Sequence, residues 1–289
     1  MVNELPVVSV LMTAYNREKY IAEAIESVLD STFKNFELII VDDCSTDRTF
    51  SIVKEFESKD SRVKVFLNDN NLGDYPNRNK AASLAIGEII MSVDSDDTII
   101  KSAISHIVKL FETYPQSNFL TLNRDNFFKQ ETVISSKELI RRHFLQATNL
   151  HYGPGATAIR TKYFKDIGGF PVIYGPANDM YYNIMAASKS PIILCKLEFL
   201  NYRIHDGQEV NNKFSYLHNG YKYFNDILHL TELPLEQKEI NILYLKNKRR
   251  FIVNLYNFFI KNRDIRKCIE ACKLAKFKLV DVRKAIFLR

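Results

Sequence analysis

The chain has 289 residues, of which 46% are hydrophobic and 26% are charged, and this is the composition of an ordinary folded protein. Its formal net charge of +6 is unevenly spread, because residues 246–289 hold 14 Lys and Arg against 3 acids, which leaves −5 on the first 245 residues. It has no run of about 18 apolar residues and no signal-like segment, so we expect a cytoplasmic protein, peripheral at most on the inner face of a membrane.

The first hundred residues alternate between short apolar runs and segments with helical periodicity. The apolar runs are rich in β-branched residues, as buried strands are, and the segments between them repeat apolar residues every three or four positions. The predicted strands are 7–12, 36–41, 63–67 and 89–93, and the predicted helices are 20–29, about 47–56, 77–86 and 102–114. This alternation predicts an α/β fold with a mostly parallel sheet and helices on both faces.

The chain beyond residue 118 is less regular. Its pattern predicts extended segments at 119–122, 156–159 and 192–200, and helices at 136–147 and 178–187. From about residue 215 the sequence is helical, basic and aromatic. We therefore predict one α/β domain over 1–212, with halves at 1–100 and 101–212, followed by a helical region at 213–289.

The strand at 89–93 ends in three carboxylates within four residues, Asp94, Asp96 and Asp97. Like charges about 4 Å apart repel by roughly 4 kcal/mol at an effective dielectric constant near 20, so a cation is expected beside them. Hard divalent cations bind through carboxylate oxygens, often together with substrate phosphates. The structural alternative is that Asp96 or Asp97 caps a helix beginning near Thr98.

A second acidic pair, Asp42 and Asp43, follows the strand at 36–41. In an open parallel sheet the carboxyl ends of the strands form one edge, and ligands bind beyond it. We therefore expect all five acids to face a common crevice. Alternatively, Asp42 and Asp43 serve capping and turn formation, a role that fits Asp42 better than Asp43.

The turn after the first strand argues against a dinucleotide-binding enzyme. It reads Thr13-Ala14-Tyr15-Asn16-Arg17-Glu18 and has no glycine where a phosphate-binding loop requires one. It offers instead a hydroxyl, an aromatic face and a cation, which suits a nucleotide held by side chains.

The chain contains four motifs in this order: 8–16 (VSVLMTAYN), 41–47 (VDDCSTD), 71–79 with its Asn-Leu-Gly and Arg-Asn, and 87–97 with its Gly-Glu and Asp-Ser-Asp-Asp. Together they resemble the signature of family 2 glycosyltransferases. The resemblance implies a GT-A fold and an inverting transfer from a nucleotide-diphosphate sugar, commonly a UDP sugar, to a hydroxyl of a glycan or lipid-linked glycan. It makes 1–100 the nucleotide-binding half and 101–212 the acceptor-side half. The Gln-x-x-Arg-Trp motif of processive relatives is missing, which favours addition of one sugar at a time.

The resemblance also implies roles for individual residues. Asp43 is expected to bind the base, Asp94 to reach the ribose or the donor sugar, and Asp96 to coordinate a Mn²⁺ or Mg²⁺ ion that bridges the diphosphate. The full set of expected donor-binding residues is Thr13, Tyr15, Arg17, Asp43, Arg78, Asp94, Ser95 and Asp96.

The segment 174–179 (YGPAND) resembles the family's acceptor-side Glu-Asp motif, with Asn178 in place of Glu. The resemblance implies that Asp179 is the general base, which must be ionised and within hydrogen-bond reach of the acceptor hydroxyl. A helix cap is the alternative role. Asn178 puts an amide where a carboxylate usually contacts the acceptor.

His205 lies in 202–208 (YRIHDGQ), where family members often carry a histidine that reaches back to the metal or the diphosphate. A neutral imidazole is a competent metal ligand, so Asp96 and His205 are the expected ligands. An ordinary surface histidine is the alternative. The four cysteines lack zinc-site spacing and are expected to be free thiols.

The basic region at 246–289 interleaves cations with aromatic and aliphatic residues. Such helices can lie on an anionic membrane, or they can pack on the catalytic domain or on a second subunit in a homodimer. No base-reading motif occurs, so no nucleic-acid partner is expected. The competing function is a catalytically silent carbohydrate-binding or scaffold protein whose tail binds a membrane or nucleic acid.

Overall fold

The computed structural model describes residues 5–123, 128–146, 150–205, 212–230, 233–278 and 280–283. Its first half contains the predicted alternation of strands and helices. The elements are β1 (Val8–Ala14), α1 (Ile21–Leu29), β2 (Phe36–Asp42), α2 (Thr49–Lys59), β3 (Val63–Leu67), α3 (Asp74–Leu84), β4 (Ile89–Ser92), β5 (Thr98–Ile99) and α4 (Ala103–Thr113).

The second half continues with shorter strands and ends in helices. Its elements are β6 (Phe119–Leu122), β7 (Thr132–Ile134), α5 (Ser136–Leu145), β8 (Thr157–Arg160), α6 (Thr161–Asp166), α7 (Asn178–Ser188), β9 (Ile192–Cys195), β10 (Leu200–Asn201), α8 (Lys213–Ile227), α9 (Gln237–Asn262) and α10 (Ile265–Leu274). Single 3-10 turns lie at Pro154–Ala156 and Gly175–Ala177.

Eight strands form one sheet in the order β3-β2-β1-β4-β8-β6-β9-β7. Strands β1 to β4 are mutually parallel, and β6 is parallel to β9. Only β8 and β7 run antiparallel to their neighbours in this sheet. The expected mostly parallel sheet is therefore confirmed, and the carboxyl ends of β1, β2 and β4 share one edge.

Helices cover both faces of this sheet, as the continuous apolar strands predict. Along β1, Val10 packs with α1 and α4 on one face, whereas Leu11 packs with α3 and α7 on the other. Burial of each such aliphatic side chain stabilises the fold by about 1.5–3 kcal/mol. The strand edge that carries the acids is thus held by two separate hydrophobic layers.

Helix α3 begins three residues earlier than the sequence pattern indicates, at Asp74 rather than near Asn77. Gly73 precedes it with φ of 87°, and Pro76 occupies the first turn, where a missing N–H costs no helical hydrogen bond. The earlier start matters because Asp74 and Tyr75 of this turn contact the predicted site residues Arg78 and Asp179.

A buried carboxylate, Glu37, connects the segments at the amino ends of the parallel strands. It accepts hydrogen bonds from the Ser9 hydroxyl at 2.6 Å and the Ile86 N–H at 3.0 Å, and it pairs with Lys64 at 2.8 Å. Gly87 passes so close to β1 that an added Cβ would lie 2.6 Å from the Ser9 nitrogen. The glycine of the 87–97 motif therefore serves strand packing.

The C-terminal helices pack on the α/β domain and on one another. Tyr223 and Ile227 of α8 and Leu243 of α9 join the core layer that contains α7. Arg141 of α5 makes a bidentate ion pair with Glu239 of α9, at 2.6 and 2.7 Å. The division at 212/213 thus stays a prediction, since the residues on its two sides share a core.

Candidate functional site

The acids after β4 do not cap a helix. Thr98 and Ile99 form β5, which pairs with β10, and α4 begins only at Ala103, so the capping alternative for Asp96 and Asp97 is wrong. Asp97 is buried and accepts the backbone N–H of Arg203 at 2.9 Å. Burial, reinforced by Asp94 and Asp96 and opposed by Arg203, raises the pKa of Asp97 to about 7.

Asp96 contacts two other predicted site residues, His205 and Arg17. Its Oδ2 lies 2.9 Å from Nε2 of His205 and 3.1 Å from Nε of Arg17. Asp96 lies between β4 and β5, His205 in the segment after β10 and Arg17 in the turn after β1. The structure therefore brings together the carboxylate and the imidazole that the sequence proposes as metal ligands.

Two residues that sequence reasoning did not assign hold His205 in this position. Arg203 donates through Nε to the Asp96 carbonyl oxygen at 2.9 Å and pairs with Glu23 of α1 at 2.6 Å. Its guanidinium lies over the ring of Tyr20, against which the His205 ring stacks at 4.8 Å. Arg203 is part of the 202–208 motif, but neither it nor Tyr20 has a sequence signal for this contact.

Arg78 of α3 reaches the same crevice from another side. Its Nη2 lies 2.7 Å from Asp94 Oδ1, and its Nε donates to Asp74 Oδ1 at 2.7 Å. Burial would lower the pKa of Arg78, but Asp74 and Asp94 outweigh it and raise the pKa. The guanidinium is therefore a fixed positive charge next to the acidic motif.

Asp179 lies in the first turn of α7, where α3 approaches. Its backbone N–H donates to the Tyr75 hydroxyl at 3.3 Å, and its Oδ1 accepts the Met180 N–H at 2.7 Å, so the carboxylate takes part in the helix start. Burial raises the pKa of Asp179 to about 7, with Asp74 adding to the shift and Arg78 opposing it. Tyr75 was not predicted, because nothing in the sequence relates it to α7.

Asn178, where the resemblance expects an acceptor-side carboxylate, is turned inward. Its side chain is buried, and its Oδ1 accepts the Tyr174 N–H at 2.9 Å. The amide thus closes the turn that leads into α7.

The turns after β1 and β2 are tied together above the sheet edge. Asn16, with φ of 53°, donates its N–H to Ser45 Oγ at 2.9 Å and accepts the Thr46 N–H at 2.8 Å. Thr13 is half-buried at the end of β1, and the Tyr15 ring is exposed. Their expected contacts with a nucleotide remain predictions.

Asp42 and Asp43 have structural partners. Asp42 Oδ1 accepts the Ser45 N–H at 2.8 Å, so its turn-forming interpretation is confirmed. Asp43 is buried and accepts three donors, the Asn68 amide at 2.6 Å and the backbone N–H groups of Leu72 and Gly73 at 2.8 and 2.9 Å. It orders the loop that starts α3, and its contact with a base remains a prediction.

Ser95, which is also among the expected donor-binding residues, is buried, and its contact with the donor remains a prediction.

A second set of ligand-type atoms lies apart from these residues. His106 Nε2, a carboxylate oxygen of Glu131 and Cys195 Sγ lie within 4.8 Å of one another, with His106 and Glu131 in contact at 2.5 Å. All four cysteines are free, as expected. Burial raises the pKa of Cys195 to about 12.

Residues 9–168, more than half of the chain, match the family model of glycosyl transferase family 2. A curated relative from Escherichia coli, the UDP-Glc:alpha-D-GlcNAc-diphosphoundecaprenol beta-1,3-glucosyltransferase WfgD, is 27% identical over 260 residues, 88% of this chain and 97% of the relative. A GalNAc(5)-diNAcBac-PP-undecaprenol beta-1,3-glucosyltransferase from Campylobacter jejuni is 32% identical over 150 residues, 50% of this chain and 48% of the relative. An uncharacterized glycosyltransferase from Haemophilus influenzae is 33% identical over 162 residues, 47% of this chain and 65% of the relative. With these last two proteins the match spans less than two thirds of the relative.

Two solved structures share the architecture. Staphylococcus aureus TarS 1–349 in complex with UDP-GlcNAc superposes with a TM-score of 0.73 at 24% identity, covering 91% of this chain and 79% of TarS 1–349. The mannosyltransferase PcManGT from Pyrobaculum calidifontis, in complex with GDP-Man and Mn²⁺, has a TM-score of 0.65 at 13% identity, covering 99% and 88%. At this identity the likeness concerns the fold alone. With the matched family model, it establishes that the chain belongs to glycosyl transferase family 2 and has a GT-A-like α/β fold.

Proposed function

We propose that the protein is an inverting glycosyltransferase that moves one sugar from a UDP sugar to a hydroxyl of a lipid-linked glycan. The observation that carries this proposal is the position of Arg78, which pairs with Asp94 at 2.7 Å and lies 5.9 Å from the ring of Tyr75, whose hydroxyl accepts the Asp179 N–H. A donor-side acid and the candidate base are therefore linked through the first turns of α3. Two comparisons support the UDP sugar and the lipid-linked acceptor: WfgD is a UDP-Glc:alpha-D-GlcNAc-diphosphoundecaprenol glucosyltransferase, and TarS 1–349 binds UDP-GlcNAc.

The proposed donor site combines cations and a ring at the sheet edge. Arg17 and Arg78 offer guanidinium groups suited to phosphate oxygens, and the exposed ring of Tyr15 offers a face for a base. Asp94 would accept hydrogen bonds from the ribose or the donor sugar. The Arg78 ion pair with Asp94 holds both groups in place before the donor binds.

Asp96 and His205 have the donor atoms that a divalent cation requires. A carboxylate oxygen and an imidazole nitrogen 2.9 Å apart need only a small separation to take an ion between them. We assign Mn²⁺ or Mg²⁺ to this pair. An ion held there would supply positive charge against the leaving diphosphate.

Asp179 is the proposed general base. With a pKa of about 7, its carboxylate is substantially ionised at neutral pH and still basic enough to accept a proton from the acceptor hydroxyl. The hydroxyl oxygen attacks the anomeric carbon on the face opposite the diphosphate, so the C–O bond to the diphosphate breaks as the new one forms. This single displacement inverts the anomeric configuration.

Two substitutions separate the proposed roles. Asp96→Ala and Asp179→Asn should each abolish transfer from UDP-glucose to a GlcNAc-diphosphate-lipid analogue, because one removes a cation ligand and the other removes the base. Only Asp96→Ala should also weaken Mn²⁺-dependent UDP binding, measured by calorimetry. Asp166→Asn, at an exposed acid of α6, is the matched control and should retain activity.

Equal loss of UDP binding in both variants would contradict these assignments. A protein that binds the donor but releases no UDP with any acceptor would instead be the catalytically silent carbohydrate-binding alternative.

A further inference from the structure

Helix α9 leaves an apolar stripe exposed along one side. The stripe consists of Val253, Tyr256 and Ile260, which are 55%, 63% and 42% exposed. Their spacing of three and four residues places them on one face of the helix. Two residues of another face, Leu243 and Phe251, are buried. The helix therefore has two apolar faces, and packing among the described residues buries one of them.

The buried face already accounts for how α9 is held. Phe251 packs against Tyr221 of α8 at 4.7 Å and against Phe277 at 4.9 Å between ring centroids. Ala271 of α10 joins the same cluster. Packing on the rest of the chain, one of the alternatives considered for this region, thus explains this face but leaves Val253, Tyr256 and Ile260 in solvent.

Basic residues continue the exposed stripe. Lys246 and Arg249 are exposed and extend it by the same spacing toward the start of α9, and the exposed Lys261 follows its last member. Residues 246–289 carry a net charge of +11 against −5 for the preceding 245 residues. The positive charge of the molecule is thus concentrated where its exposed apolar helix face lies.

We infer that this face of α9 docks on the surface of an anionic lipid bilayer. Aliphatic side chains and a tyrosine suit the boundary between headgroups and acyl chains, and the flanking cations suit anionic headgroups. Among the described residues, no helix is both long and apolar enough to cross a bilayer. This inference does not depend on the proposed sugar transfer.

The test is co-sedimentation of the full-length protein with vesicles of phosphatidylcholine alone or with about one third phosphatidylglycerol. We expect binding to the anionic vesicles only, and release at high salt. The triple variant V253S/Y256S/I260S and the double variant K246E/K261E should each reduce partitioning by at least about tenfold, since either change removes one of the two contributions. Circular dichroism confirms that each variant is folded.

Matched controls change the same chemistry elsewhere. Ile86→Ser alters an exposed aliphatic residue beside β4, at the end away from the acids, and K109E/K137E reverses two exposed lysines of α4 and α5. Both should sediment with anionic vesicles like the wild type.

Three results would overturn the inference. The wild type could stay in the supernatant with anionic vesicles, or the α9 variants could bind as well as their controls. The third result would come from light scattering. If the wild type is a dimer and V253S/Y256S/I260S is a monomer, this face is an interface between two copies of the chain.

Discussion

At the residue scale, the crevice depends on how fixed charges set the proton affinity of Asp179. An exposed aspartate would be ionised well below neutral pH, whereas burial and the nearby Asp74 raise the pKa of Asp179 to about 7 against the opposing charge of Arg78. Asp179 therefore becomes a competent acceptor of a proton near neutral pH.

This environment predicts the pH dependence of transfer. Because only the ionised carboxylate acts as a base, kcat/KM should fall about tenfold per unit as pH drops below about 7, and should level off above it. Asp74→Asn removes a negative charge that raises the pKa of Asp179, so the acidic fall in kcat/KM should move to lower pH by about half a unit. The measurement is initial rate against pH at saturating Mn²⁺.

Two results would contradict this account of Asp179. Rates that stay level down to about pH 5 would mean that an ordinary carboxylate, or none, limits the reaction. A shift of the acidic fall in kcat/KM to higher pH in Asp74→Asn would also contradict it, because loss of that negative charge should lower the pKa of Asp179.

The sequence predicted the charged members of the crevice but not their supports. Asp94, Asp96, Arg78 and Asp179 stand in recognisable motifs, so the residue types indicate the chemistry. Tyr75 and Arg203 act through contacts with residues about one hundred positions away in the chain. Tyr75 contacts Asp179, and Arg203 contacts Asp96. Such contacts have no local pattern from which a single sequence could reveal them.

At the element scale, the short pairing of β5 with β10 carries His205 to the acids. Each of these strands has two residues, too few to show an alternation, and for this reason the pattern at 192–200 predicted one extended segment instead of β9 and β10. The longer strands and helices of the first half were predicted because their apolar periodicity extends over several residues. The early start of α3 was missed because Pro76 reads as a helix breaker.

Arg203→Ala tests this positioning role. The variant keeps the backbone N–H that binds Asp97 but loses the contacts with Asp96, Glu23 and Tyr20, so His205 should be less well held. We expect Mn²⁺-dependent UDP binding to weaken by about tenfold, in line with the loss of a residue that orients a ligand.

Glu23→Ala is the control for Arg203→Ala, because it removes only an exposed ion pair of the same arginine, worth at most about 1 kcal/mol. It should leave UDP binding nearly unchanged. If both variants bind UDP and Mn²⁺ like the wild type, Arg203 has no part in positioning His205.

At the scale of the whole molecule, the C-terminal helices share a core layer with the α/β fold. Tyr223 and Ile227 of α8 pack in the same layer as Tyr174 and Tyr182, near the turn that leads to Asp179. The boundary at 212/213 was predicted from the change to a basic, aromatic composition, and composition does not show which buried side chains on its two sides share a core.

Truncation tests this continuity. A chain ending at residue 212 would expose the face of the core that α8 and α9 cover, so it should be insoluble or lack a cooperative melting transition. A chain ending at residue 262 keeps that layer and should remain folded with a lower melting temperature, measured by circular dichroism. A chain of residues 1–212 that melts cooperatively at the wild-type temperature would show that the two regions are independent domains.

We have proposed Asp96 and His205 as the ligands of a divalent cation in a sugar-nucleotide site. The most direct measurement is an anomalous difference map of crystals grown with Mn²⁺ and UDP. We expect a manganese peak within about 2.5 Å of Asp96 Oδ2 and His205 Nε2, with the diphosphate beside it. A peak among His106, Glu131 and Cys195, with none at Asp96, would contradict it.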